Sequence, residues 1–147
     1  MYGDTDVMRK RAAQLREQGV DIRAMADHLV AQTEGIGWSG RAAESMRERV
    51  RDRAAHLREV AAGHETAAES LEKHLLEVDL LKESIASTER RAGSIVADAR
   101  TRVARVDAHD DPDGVRREAD PGDRALAAFT PPPSGHRDWL AVEIPGL

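Results

Sequence analysis

An uninterrupted seven-residue register from Ala43 to Val106 constrains this chain more than any other feature of its sequence. Apolar or small residues recur at every seventh position, with His64 as the exception, and no proline interrupts the stretch. Seven-residue spacing keeps side chains on one stripe of an α-helix that packs against a partner helix. The pattern therefore predicts one long helix, roughly 100 Å in length at about 1.5 Å per residue. A helix that breaks at Gly63 or Gly93 and folds back is the alternative.

A shorter segment with the same spacing precedes the long one. Large apolar residues recur every seven positions, and a smaller residue follows four positions after each: Met8, Leu15, Ile22, Leu29 and Ile36, then Ala12, Gly19, Ala26 and Thr33. Such an alternation is typical of a narrow coiled-coil seam, and it predicts a helix over about 6–33. Gly19 either weakens this helix by about 1 kcal/mol relative to alanine or lets a partner helix approach closely.

The stretch EGIGWSGRAAE, residues 34–44, joins the two segments. Gly35 and Gly37 are predicted to end the first helix with positive φ, and Ser39 to cap the second. Gly40 lets the two backbones crowd at the bend, and Trp38 either covers the open end of the hairpin or fills a cleft of a partner. Two amphipathic helices joined by so short a turn bury each other's seams when they are antiparallel.

The predicted fold is therefore all-α: an antiparallel helical hairpin with a long, coiled-coil-like second helix. Helix 1 covers about 6–33, the turn 34–40 and helix 2 about 41–106. Residues 107–147 form an acidic segment rich in Pro and Gly, which is typical of a mostly disordered tail. The final DWLAVEIPGL is apolar again, so it is expected to dock weakly or to act as a short linear motif.

The two predicted helices differ greatly in length. The first, folded back, covers the second only to near Leu71, which leaves an apolar stripe without cover. Stripes of this size are seldom exposed to water. We therefore expect a second copy or another helical protein to bind a seam formed by Leu71, Leu75, Val78, Leu81, Ile85, Ile95, Val96 and Val103.

Several classes of function find little support in the composition. There is no cysteine, and His28, His56, His64 and His74 show no spacing typical of a metal site. Carboxylates alternate with arginines on helix surfaces, which indicates solvated ion pairs rather than catalysis. The basic cluster Arg47–Arg53 is interleaved with acids and lacks aromatic residues. We expect no enzyme activity, cofactor, metal, nucleic-acid partner, transmembrane segment or ordinary cleavable signal peptide.

The tripeptide Trp38-Ser39-Gly40, placed in the bend of an alanine-rich hairpin, resembles the WXG100 superfamily. The resemblance covers about residues 6–88. Members are small helix-turn-helix proteins that type VII (ESX) systems export, often as dimers. Their export motif, Tyr-x-x-x-Asp/Glu after the second helix, is absent at that place. The candidate export signals are Tyr2-x-x-x-Asp6 at the opposite end and the aromatic analogue Trp139-x-x-x-Glu143.

This resemblance implies a non-enzymatic type VII secretion substrate, or a secretion-associated protein, that acts through helix–helix pairing as a homodimer or heterodimer. Its expected location is outside the cell or in the envelope, and the secretion machinery is a second expected partner. One alternative is a cytoplasmic coiled-coil adaptor or chaperone. Another is a targeting module that accompanies a separately encoded toxin.

Overall fold

The computed structural model of this chain describes residues 5–109, 114 and 117–147. Its elements in chain order are α1 (Thr5–Gly35), α2 (Arg41–Asp107), α3 (Pro121–Ala127) and a 3-10 helix (Arg137–Ala141). No strand occurs among these residues, so the predicted all-α class is confirmed. The chain divides into two compact units, one that ends at Val78 and one that begins at Asp79.

The unit up to Val78 is the predicted antiparallel hairpin. Arg16, in the first half of α1, pairs with Glu72 at 2.7 Å, whereas Glu34, near the end of α1, pairs with Arg51 at 3.6 Å. The first half of α2 therefore runs back along α1. The predicted helix limits of 6–33 and 41–106 lie within two residues of those observed.

The long second helix is continuous, as its register predicts. It passes through Gly63 and Gly93 without a break, so the fold-back alternative is wrong. A Cβ added at either glycine would meet nothing within 4 Å. A single glycine costs a helix only about 1 kcal/mol, which the flanking alanines, leucines and arginines readily offset.

Gly40, rather than Ser39, caps the start of α2. The Gly40 carbonyl accepts the first bond of the helix from the backbone N–H of Glu44, at 3.1 Å. Gly40 also has φ of 103°, which side-chain-bearing residues rarely adopt. The sequence prediction of a serine cap was therefore off by one residue, because the sharp reversal of the chain requires a glycine at the capping position.

The end of α1 also differs from the prediction. Gly35 is the last residue of the helix, and neither Gly35 nor Gly37 has positive φ. The chain instead leaves the helix through a tight three-residue turn, in which the backbone N–H of Trp38 donates to the Ile36 carbonyl at 2.8 Å. This turn satisfies a carbonyl without a left-handed residue, so the bend needs positive φ only at Gly40.

The expectation of a disordered tail is wrong for residues 117–147, which we call the C-terminal segment. Its helix α3 begins with Pro121, and the Asp120 carboxylate caps it by accepting from the N–H groups of Gly122 and Asp123 at 2.8 and 3.3 Å. Aspartate followed by proline is a strong helix start. The Asp, Pro and Gly residues that suggested disorder are therefore the caps and turns of short elements. Residues 110–113 and 115–116 lie outside the described residues.

Ion pairs and one buried aromatic ring hold the C-terminal segment in the unit that begins at Asp79. Arg102 on α2 donates two hydrogen bonds to Asp123, at 2.6 and 2.9 Å. Glu89 accepts from the backbone N–H of Gly135 at 3.1 Å. Trp139 is only 4% exposed, and its ring N–H donates to the Pro133 carbonyl at 3.0 Å. The segment thus contributes an acid, Asp123, to an α2 arginine, and an arginine, Arg124, to the α2 carboxylate of Asp107 at 3.0 Å.

Candidate partner-binding surface

Small residues form the contact between the two helices of the hairpin. They recur every seven positions on each helix and are almost completely buried: Ala12, Gly19 and Ala26 on α1, and Ala54, Ala61 and Ala68 on α2. The approach at Gly19 is very close, since a Cβ there would lie 3.1 Å from the Ala61 backbone oxygen. The second interpretation of Gly19 is therefore confirmed: it admits a neighbouring helix, and that helix is α2 of the same chain.

One side of this small-residue contact carries a row of ion pairs, which we call the ion-paired face. These pairs join α1 to α2, and six of their eight members lie three before or four after a buried small residue: Arg16–Glu72, Arg23–Glu65, Asp27–Arg58 and Glu34–Arg51. All of these side chains are partly exposed to solvent. Single exposed pairs contribute only about 0.2–1 kcal/mol each, so the row fixes register more than it adds stability.

The opposite side of the contact is apolar. Its inner ridges hold large residues, and all but Ile36 are half-buried and lie four before or three after a buried small residue: Met8, Leu15, Ile22 and Leu29 on α1, Ile36 just after α1, and Val50, Leu57, His64 and Leu71 on α2. The sequence predicts both sets as one seam. In the structure the small set is enclosed between the helices, and the large set flanks it on this one side.

Outer ridges widen this surface. They lie in the seven-residue register that is one position before the buried small residues, and comprise Arg11, Gln18, Met25 and Gln32 on α1, and Met46, Arg53, Val60, Ala67 and His74 on α2. Inner and outer ridges together are called the apolar face. Met25 is 56% exposed, Met46 44% and Val60 37%. Shallow grooves occur at both ends of the face, one between Met8 and Leu71 and one beside Val50.

The bend contributes one further exposed apolar group. One hypothesis from the sequence was that Trp38 covers the open end of the hairpin. Trp38 is instead 62% exposed and does not seal that end. Its backbone carbonyl accepts a hydrogen bond from Arg47, and its ring borders a shallow depression shared with Ile36 and Met46. Trp38 thus adjoins the apolar face at Ile36 and Met46, with its indole ring largely accessible.

The predicted partner seam on α2 is largely covered within the chain. Four members are buried (Leu75, Val78, Ile85 and Val96), three are partly buried (Leu71, Ile95 and Val103), and Leu81 is 43% exposed. The expectation that this whole stripe lacks cover is therefore wrong. One reason is the C-terminal segment: a Cβ at Gly146 would lie 3.8 Å from the Cδ1 atom of Ile95.

The candidate export signals fall in different settings. Tyr2 lies outside the described residues, and Asp6 pairs with Arg9 at 3.0 Å in the first turn of α1. Trp139 lies in the 3-10 helix and is buried, while Glu143 follows it in an exposed position. In this arrangement the Trp139 ring is not displayed to a receptor, and its observed contacts are those of an anchor.

The carboxylates with shifted pKa values among the described residues belong to ion pairs with arginines. No group of three or more His, Asp or Glu side chains is placed to hold a metal ion there. The hydrogen bond from Arg16 lowers the pKa of Glu72, and the hydrogen bond from Arg102 lowers the pKa of Asp123. Both carboxylates belong to solvent-accessible ion pairs that join segments of the fold, so these shifts reflect structural pairing.

Comparison with known proteins adds no assignment, since no family model, curated protein or solved structure matches the chain. Within the described residues, no helix has a stretch long and apolar enough to cross a bilayer. The apolar face is the main candidate site, because the hairpin itself covers its large side chains only in part. The sequence contains a signal for it: on both helices, the heptad positions on one side of the small residues carry no carboxylate.

Proposed function

We propose that this chain is a non-enzymatic helical hairpin protein that works by pairing with another helical protein. The observation that supports this proposal is the apolar face, whose large side chains the hairpin itself covers only in part. Contiguous apolar surfaces on a small domain are usually sites of protein association. A helix or helix pair laid along this face would complete the burial of both inner ridges, as in a helical bundle.

We further propose that pairing serves type VII secretion, with the chain as a substrate or an associated component. The support is the Trp38-Ser39-Gly40 bend together with the accessibility of the Trp38 ring. Exposed tryptophan is uncommon and is enriched at the centres of protein interfaces. A ring at one end of an apolar face can contact either the paired protein or the secretion machinery.

The outer ridges allow a test that spares the hairpin. Met25→Glu and Val60→Glu place carboxylates on the outer ridges of the apolar face, where Met25 is 56% and Val60 37% exposed. Each change is expected to remove about 1 kcal/mol of pairing free energy, because only the exposed part of the side chain loses burial. Val20→Glu is the matched control, since Val20 is 61% exposed and lies on the side of the ion-paired face.

The assay is export of the tagged chain from a host that carries a type VII system, with and without its secretion ATPase. We expect protein in the medium only when the ATPase is present. Export should fall in the double variant Met25→Glu/Val60→Glu and in Trp38→Ala, and it should persist in Val20→Glu. Circular dichroism should show unchanged helix content in every variant.

Two outcomes would contradict parts of this proposal. Retention of the chain in the cell whether or not the ATPase is present would exclude the secretion role and favour an adaptor or chaperone. Export that is unaffected by carboxylates at Met25 and Val60 would exclude the apolar face as the pairing surface. Co-purification with the product of an adjacent toxin gene would favour the targeting-module alternative.

A further inference from the structure

We infer that the occupant of the apolar face is an amphipathic helix of a different protein, with Asp or Glu along the edges of its apolar stripe. This inference rests on the proposed pairing function and specifies the chemistry of the partner. It follows from the distribution of charge around the two faces of the hairpin.

The apolar face carries no carboxylate at any of its ridge positions, all of which are described residues. This is unusual, because the whole chain has 27 Asp and Glu against 22 Lys and Arg. The charged or titratable groups on the face are Arg11, Arg53, His64 and His74. An acidic chain therefore presents one face whose ionic character is cationic only.

The arginines of the two faces also differ in their contacts. On the ion-paired face, Arg16 and Arg23 bind carboxylates of α2 at 2.7 and 2.8 Å. On the apolar face, Arg11 and Arg53 form no side-chain hydrogen bond or ion pair among the described residues, and both are exposed. Each borders one of the end grooves, where it can bind an incoming carboxylate while its stem covers the apolar residues beside it.

A second copy of this chain does not meet that requirement. Two apolar faces brought together would offer each other arginine and histidine but no carboxylate. Like charges at an interface oppose association and select against the wrong partner. An anionic membrane is also a poor fit, since the aliphatic side chains of the inner ridges on α1 and α2 are already half-buried in the hairpin and offer only part of their surface to lipid. A carboxylate-edged helix satisfies both the apolar ridges and the free arginines.

Two synthetic helices test the inference directly. Both carry the same leucine and alanine stripe, and they differ only in having Glu or Lys at every edge position. Fluorescence anisotropy with the full chain is expected to show about five- to tenfold tighter binding of the Glu-edged helix, since two exposed ion pairs contribute up to about that much. The preference should shrink when salt rises from about 0.05 M to about 0.5 M, because the pairs lie at the solvent-exposed rim.

Charge-reversed protein supplies the decisive comparison. The double variant Arg11→Glu/Arg53→Glu is expected to reverse the preference toward the Lys-edged helix. Arg91→Glu/Arg105→Glu is the matched control, because it changes net charge equally at exposed arginines that do not belong to the face. It should leave the preference for the Glu-edged helix in place, with unchanged helix content in both variants.

The outcomes separate this inference from the proposed function. Equal binding of both helices, or an unchanged preference in Arg11→Glu/Arg53→Glu, would overturn the charge inference and leave pairing through the apolar face intact. Binding of neither helix would overturn both. If the chain forms a stable homodimer and Met25→Glu weakens it, a second copy is the occupant. If the chain binds vesicles of anionic lipid and this binding requires Arg11 and Arg53, a membrane is the occupant. Either result would overturn the inference.

Discussion

Replacing Gly19 with alanine tests how closely the two helices of the hairpin approach. Alanine is favoured over glycine by about 0.8–1.0 kcal/mol in the interior of a helix. At Gly19, however, the added Cβ would lie 3.1 Å from the Ala61 backbone oxygen and 3.3 Å from the Cγ atom of Glu65. The Glu65 side chain can move, but the carbonyl is held in α2. The helices must therefore separate locally by a few tenths of an ångström.

The matched control is Gly63→Ala in the same hairpin. Gly63 lies inside α2, and a Cβ there would meet nothing within 4 Å. Only the helix preference then acts, so the free energy of unfolding should rise by about 0.8 kcal/mol. Overpacking of an enclosed contact costs about 1–3 kcal/mol, and after the helix preference is subtracted Gly19→Ala should lower the free energy of unfolding by about 1 kcal/mol.

Urea unfolding followed by circular dichroism measures both changes. The two variants are expected to differ by about 2 kcal/mol, with Gly63→Ala above the parent protein and Gly19→Ala below it. Gly19→Leu should be less stable still, because its larger side chain cannot fit between the backbones. If Gly19→Ala were stabilised as much as Gly63→Ala, the helices would not be in close contact at this position, and the assignment of the small residues to the enclosed contact would be incorrect.

Three further predictions concern the bend and the C-terminal segment. Gly40→Ala should lower the free energy of unfolding by about 1–2 kcal/mol, because φ of 103° strains any L side chain, whereas Gly37→Ala should be nearly neutral. Asp123→Asn removes the charged acceptor of Arg102 and should increase quencher access to Trp139 in a Trp38→Phe background. The hydrogen bond from Arg102 lowers the pKa of Asp123. The ion pair therefore stabilises the fold fully above the ordinary aspartate pKa of about 3.9, and this stabilisation is lost as pH falls through the lowered pKa of Asp123. Trp139 should therefore become more accessible in acid, and that acid transition should be smaller in Asp123→Asn; an identical transition in both proteins would exclude Asp123 as its cause.

Features of the fold that depend on residues close together in the chain were mostly predicted correctly from the sequence, and features that depend on distant residues were not. The limits of α1 and α2 and the continuity through Gly63 depend on spacing within one segment, and spacing is visible in the sequence. The cap at Gly40 was missed because serine and glycine are both good capping residues, and the choice depends on the backbone angle of the bend. The order of the C-terminal segment was missed because Asp123 stabilises it through an arginine 21 residues earlier in the chain.

The sequence by itself determined an all-helical chain with a hairpin bend near residue 40, since helical periodicity and glycine chemistry act within a few turns of backbone. Only the tertiary structure decided which half of each seam is enclosed. The helices approach so closely at Gly19 that only small side chains fit between them, and Leu15 and Ile22 are displaced to one side. The same geometry placed the ion pairs on the other side, because residues three before and four after the contact share one flank of an α-helix. The apolar face exists because the small residues are enclosed between the helices and the large residues lie on one side of them.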